Sequence, residues 1–305
     1  HVAAVAKMTD DRLQILRNAR SIGYVFSGGS ARCAFQVGVV ETLRELDIQP
    51  SLCIGVSGGV WNAASVSAQT DERLRYYWRS FARSPHVDLK NLLRADHSPF
   101  LYSKLHERHF ERYVGTARLL DDSVRMFVNV TRLRDRAPQL YDVRDVEDPF
   151  ALLLASNYLP PFYTHAPLVE GERFGDGGTT DNAPYEEAFE RGCDAVVIMA
   201  LKGETEGNLY RSIDDTEHQI SPEYRDRVVV IRPRHRVPVS FVERRWDVLE
   251  RLIELGGLRA REVLLGERHP ETEWRAKGEA ISVKLARMFG RSGVPGGKNP
   301  RPVSD

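Results

Sequence analysis

Cysteine is scarce: Cys33, Cys53 and Cys193 are the only three in 305 residues. Their odd number and wide spacing argue against a disulfide framework or a zinc knuckle and fit a reducing compartment. An excess of either charge is also missing, since Lys+Arg and Asp+Glu both total 43. That excludes a nucleic-acid binder relying on bulk charge, though not a local basic patch. Long apolar runs are absent too, and none approaches the ~18 residues of a membrane span. The opening "HVAAVAKM" lacks the charged start and long apolar core of a signal peptide, and the chain begins at His1 rather than Met. The expected location is cytoplasmic or peripheral to a membrane. What remains is ordinary globular material: apolar residues make up 42%, enough for a sizeable core.

The chain alternates between two kinds of pattern. "SIGYVF" (21–26), "SLCI" (51–54), "RMFVNVTRL" (125–133), "DAVVIMA" (194–200) and "RVVVIRP" (227–233) are short, β-rich and apolar, as buried strands are. Helical spacing falls at 9–20 with Thr9 or Asp10 as cap, at 33–46, 60–69 and 71–83, and at 148–157 with Asp148 as cap and Pro149 at the first position. A short helix at 184–192 is ended by Gly192, and residues 165–176 read as a hairpin around Glu170-Gly171. The stretch 84–122 reads as helical with loops. Strands interleaved with helices predict an α/β fold, a mainly parallel sheet covered on both faces. From about 236 the strands stop, and 240–267 and 271–289 read as helices that pack on the sheet or form a small cap. The expected division is a lead-in at 1–20, a main domain at 21–235, helices at 236–289 and a Gly/Pro-rich disordered tail at 290–305.

One serine stands among glycines between a strand and a helix: Gly55-Val56-Ser57-Gly58-Gly59. G-x-S-x-G in that setting is a nucleophile elbow. The glycines admit close backbone approach, and the helix after the turn aims its free N–H groups and positive dipole end at the reacting centre. A base is harder to find. Downstream, His165, His218, His235 and His269 lie in no setting that marks a catalytic histidine, and His235 stands in the basic run "RPRHR". His106 and His109 in "HERH" are three apart, whereas a zinc H-E-x-x-H needs four, so no metal site is expected. Asp176, in contrast, ends a predicted strand and is followed by Gly177-Gly178. Gly28, Gly29 and Ser30 lead into a helix, so their N–H groups can converge on an anion; the loop lacks G-x-x-x-x-G-K-[ST], yet by itself equally suits a phosphate cradle.

Together, Gly28-Gly29-Ser30-Ala31-Arg32, the Ser57 elbow and Asp176-Gly177-Gly178 resemble the patatin-like phospholipase family. "GVVETLRELDI", "ASNYLPPFY" and "TDNAPYEEAFERGCDAVVIM" agree with it, and the resemblance covers about 22–235. It departs at Ser30, where the third glycine of the loop is usual, at Cys33, where glycine is usual, and at Gly58, where alanine is common. The resemblance implies a three-layer α/β/α fold and a Ser57–Asp176 dyad without histidine or cofactor. It implies an oxyanion hole at Gly28, Gly29 and Ser30, with Gly55 and Gly59 as elbow glycines. Arg32 would orient the loop, meet a lipid phosphate or form a structural salt bridge. The implied activity is hydrolysis of a fatty-acyl ester, phospholipase A-like, with transient contact to a membrane surface and no nucleic-acid partner. Two alternatives stay open: a Ser–His–Asp esterase on small esters, and a non-catalytic lipid-binding protein on the same fold.

Overall fold

The computed structural model describes residues 12–90, 99–121, 124–163, 166–209 and 219–274. The helix predicted at 271–289 is described only as far as Trp274, where Pro270–Glu273 forms a 3-10 turn; the rest of it, the tail, His165, His218 and the cap at Thr9 or Asp10 lie outside the described residues, and of the lead-in 12–18 is helical (α1). Five strands form the parallel centre: β1 (Ile22–Phe26), β2 (Leu52–Val56), β3 (Arg125–Arg132), β7 (Ala195–Met199) and β8 (Val228–Ile231). They lie in the order β3-β2-β1-β7-β8. Every residue of β1 is buried because both faces are covered: Tyr24 and Phe26 enter one core, Val25 the other.

Beyond β3 the sheet turns antiparallel. The predicted hairpin forms as β5 (Leu168–Val169) and β6 (Glu172–Asp176), and β6 pairs with the end of β3 through Val130↔Asp176. A strand with no counterpart in the sequence reading, β4 (Pro138–Asp142), also pairs with β3. Its residues, Pro-Gln-Leu-Tyr-Asp, are mostly half-exposed and show no apolar alternation; the β3 ladder and an Arg125–Asp142 ion pair at 2.8 Å hold it in place.

The helices are α2 (Ala34–Glu45), α3 (Gly59–Ser67), α4 (Leu74–Arg83), α5 (Tyr102–Tyr113), α6 (Thr116–Leu119), α7 (Pro149–Ser156), α8 (Glu186–Glu190) and α9 (Trp246–Leu265). In α7, Asp148 accepts the Ala151 N–H at 3.0 Å, as its capping position predicts. The helix read at 71–83 opens as a tight 3-10 turn at Asp71–Arg73. A larger correction concerns 240–267: the helix begins only at Trp246. Residues 237–243 run instead as an irregular strap over the loop after β1, where Arg32 Nε donates to Val239 O at 3.1 Å and Ala31 N to Phe241 O at 3.2 Å. Glu243 then accepts the N–H groups of Arg244 and Arg245, both at 3.0 Å, and turns the chain into α9. That helix packs on α2 backbone to backbone. A Cβ on Gly38 would stand 1.8 Å from Ile253 O, and one on Gly256 1.9 Å from Phe35 O. No helix among the described residues is long and apolar enough to cross a membrane.

Candidate active site

The site forms at the carboxyl ends of the parallel strands, where open α/β sheets leave a crevice. Ser57 follows β2 directly, Gly28 lies just past β1, and Asp176 ends β6. The β2–β3 register sets Val56 against Asn129, one residue before Val130 meets Asp176, so two segments far apart in sequence end side by side. Ser57 has φ +50°, a left-handed conformation that a side-chain-bearing residue keeps only when its surroundings impose it. Here they do. A Cβ on Gly59 would lie 2.4 Å from Phe26 O and one on Gly55 2.7 Å from Val60 Cα, so strand, turn and helix are too close for any other residue. Ser156 Oγ accepts the Ser57 N–H at 2.8 Å and donates to Asn129 O at 2.7 Å, fastening the elbow to β3.

Ser57 Oγ donates to Asp176 Oδ2 at 2.6 Å, with no group between them. The other carboxylate oxygen accepts the Gly178 N–H at 2.8 Å. Burial pushes the Asp176 pKa up to about 6, against the opposing pull of the Ser57 and Gly178 hydrogen bonds. Thr131 and Thr179 both donate to Asp176 O at 2.8 Å, which fixes the main chain behind the carboxylate. Such a pair can transfer a proton from a hydroxyl to a carboxylate without further movement.

The Gly28–Ser30 loop closes over this pair. A Cβ on Gly28 would stand 2.6 Å from Ser57 Cβ. The Gly28 N–H itself donates to Asn182 Oδ1 at 2.7 Å, while Asn182 Nδ2 donates to Gly28 O at 3.3 Å. The N–H groups of Gly29, Ser30 and Gly58 find no acceptor among the described residues. Ser30 holds φ +52°, the conformation for which the usual glycine is suited. Gly58 abuts it: an added Cβ would lie 3.0 Å from Ser30 N and 3.1 Å from Cys33 Sγ. The loop is anchored from behind by Gln36, fully buried, whose Nε2 donates to Ser27 O at 2.8 Å and Met199 O at 3.0 Å.

Ser57 and Asp176 line a narrow cavity walled by Trp61, Phe81, His106, Phe162, Tyr163 and Phe241 among others. His106 stacks on Trp61 with ring centres 4.1 Å apart, and its Nδ1 meets the Tyr77 hydroxyl at 3.3 Å. Burial drives its pKa well down, which favours the neutral ring. His86, which no motif in the sequence marks, stands in the wall with His106; both follow the elbow in the chain, and His86 Nε2 is engaged with Phe81 O at 2.8 Å. His235 is held away from the cavity by Glu273, Nε2 to Oε2 at 2.7 Å. Arg32 does not line the cavity either; it grips the strap at Val239.

Residues 24–189, more than half of the 305, match the family model described as patatin-like phospholipase. The chain belongs to this family. Its patatin-like fold is seen again in the crystal structure of VipD from Legionella pneumophila, 12% identical with a TM-score of 0.50, covering 84% of this chain and 72% of that one. Among curated proteins, it is 25% identical over 183 residues to the uncharacterized protein YjjU of Escherichia coli, covering 58% of this chain and 51% of that protein. It is 26% identical over 201 residues to lysophospholipase nte1 of Aspergillus terreus, covering 65% of this chain. The matches therefore span about half of the first relative and only 13% of the second.

Proposed function

We propose that this protein is a lipid acyl hydrolase using Ser57 as nucleophile and Asp176 as general base. The 2.6 Å hydrogen bond from Ser57 to Asp176 carries the reading, because the serine proton already faces an acceptor whose basicity burial has raised. Ser57 Oγ attacks the acyl carbonyl as its proton passes to Asp176 Oδ2. The carbonyl oxygen becomes an oxyanion, received by the N–H groups of Gly29 and Ser30 and, at the start of α3, of Gly58. Gly28 is left out of that donor set since Asn182 engages its N–H; its part is to hold the loop against Ser57. Collapse expels the alcohol, which takes the proton from Asp176, and leaves an acyl ester on Ser57. Water then attacks that ester, giving a proton to Asp176; the Ser57 ester bond breaks, Asp176 returns the proton to Ser57 Oγ, and the fatty acid leaves. Arg32 acts by orienting the loop and strap.

The aromatic cavity beside Ser57 suits an acyl chain, and the lysophospholipase among the relatives agrees with a lipid ester. A Ser–His–Asp esterase is disfavoured by the direct Ser57–Asp176 bond, and a purely lipid-binding role by a complete dyad. The test is a panel of phospholipid, lysophospholipid and glyceride esters, with fluorophosphonate labelling read by mass spectrometry. Hydrolysis and a label on Ser57, both lost in Ser57→Ala, are expected; a label on another serine of the folded protein would overturn the assignment.

A further inference from the structure

A second, open groove adjoins the catalytic cavity, between the end of α4 and the strap. The two share Val242 and Glu243, so one stretch of strap is the wall between them. Three arginines line the groove: Arg83, Arg244 and Arg245. Arg245 is engaged, its Nη2 lying 3.0 Å from Glu243 Oε2 and its Nε donating to Oε1 at 3.1 Å. With the two backbone N–H groups of Arg244 and Arg245, this pairing holds the Glu243 pKa at about 2, so the carboxylate is spent within its own turn. Arg83 and Arg244 are exposed and have no carboxylate partner among the described residues. The groove therefore presents two uncompensated guanidinium groups. Arg244 also lies near enough to the cavity to act on two of its wall residues. It adds to the burial that lowers the His86 pKa and opposes the burial that raises that of Tyr102.

We propose that this groove binds the phosphate of a phospholipid whose scissile acyl chain lies in the adjoining cavity, with Arg83 and Arg244 as the phosphate ligands. The proposal rests on the acyl-hydrolase reading of Ser57. Guanidinium forks match the non-bridging oxygens of a phosphate, and two of them facing one groove suit a group that offers oxygens in more than one direction. A neutral glyceride offers nothing to either charge. The groove is open where the cavity is closed in, so a hydrated head group can project to water while the chain is desolvated. Val242, 43% exposed, stands on the divide with an apolar side for the glycerol end of the chain.

The experiment uses Ser57→Ala, which cannot turn over, and two monomeric ligands: dihexanoyl phosphatidylcholine below its micelle concentration and dihexanoylglycerol, which lacks the phosphate. Calorimetry should show tighter binding of the phospholipid. Adding Arg83→Gln and Arg244→Gln should weaken it about tenfold or more, as losing charge-assisted hydrogen bonds does. Lysine at both positions should restore part of the affinity, and rising salt should erode it. With Ser57 intact, the kcat/KM ratio of phospholipid to glyceride should fall by a similar factor in the Gln variant. Unchanged phospholipid affinity in the folded Gln variant would overturn the proposal. So would an effect seen only on anionic vesicles, which would mean that the arginines read a surface rather than the substrate. If binding discriminates as expected but the Ser57 enzyme hydrolyses neither ligand, the groove stands and the hydrolase reading falls.

Discussion

Asn182 holds Gly28 at both faces of its residue, accepting the N–H at 2.7 Å and donating to the carbonyl at 3.3 Å. Asn182 lies six positions beyond Asp176, so one short turn carries both the carboxylate and the clamp on the loop opposite. Asn182→Ala should lower kcat by about tenfold or more, as a loop freed of two hydrogen bonds drifts from the reacting carbonyl, with a smaller change in KM. Asn182→Asp separates positioning from charge. Asn182 Oδ1 and Asp176 Oδ1 both lie 3.1 Å from the point a Gly178 Cβ would occupy, so a second carboxylate there should raise the Asp176 pKa and move the acid limb of the pH–rate profile upward. An unmoved limb and full kcat in both variants would contradict the clamp.

The acid limb itself is the next expectation. Asp176 must be ionised to accept the proton, and its pKa is about 6, so kcat/KM should rise with pH through about 6 and level off above it. The same shift acts on stability with the opposite benefit. The folded value of about 6 exceeds the 3.8 of the free side chain, so between them the native state binds more protons than the unfolded one. Stability is therefore lost as pH rises through that window, by up to about 2–3 kcal/mol at 1.36 kcal/mol per unit. Asp176→Asn should be inactive yet melt higher than the wild type at pH 7, with the difference gone near pH 3. Equal melting temperatures at pH 7 would remove the case for a desolvated carboxylate.

A base other than Asp176 would show itself in the histidines. His106→Phe preserves a flat ring against Trp61, and His235→Ala breaks only a contact with Glu273 and Thr205. Both should keep the acid limb near pH 6 and most of kcat on a soluble ester. A folded variant that lost the 10²–10⁴-fold typical of a general base, along with that limb, would make the enzyme a triad esterase.

The α2–α9 crossing makes a prediction about the fold. Gly38→Ala puts a methyl 1.8 Å from Ile253 O, on backbone that cannot yield locally. It should cost about 1–3 kcal/mol or more, as overpacking does, read as a fall in melting temperature. Since Leu249 of α9 lines the catalytic cavity, acyl-chain preference should change with it. A variant as stable as the wild type would show that the helices need not touch.

Local chemistry was legible in the sequence wherever it depends on neighbours along the chain. The Ser57 elbow, the Asp148 cap, the Glu170–Gly171 hairpin and the central strands each follow from residue types a few positions apart, and each forms. Even the departure at Ser30 was readable as a residue where glycine is usual, and its φ of +52° shows why glycine suits that position. What joins these pieces lies in contacts between distant segments. No pattern in 125–133 or 172–176 states that Val130 pairs with Asp176, yet that register brings the carboxylate to Ser57. Nor does composition show that 237–243 lies as a strap across the loop after β1, since its course is set by hydrogen bonds from Arg32 and Ala31, some two hundred residues earlier. The raised pKa of Asp176 belongs to the same class: the residue type sets the starting value, and only the surrounding fold removes the water that would have kept it there.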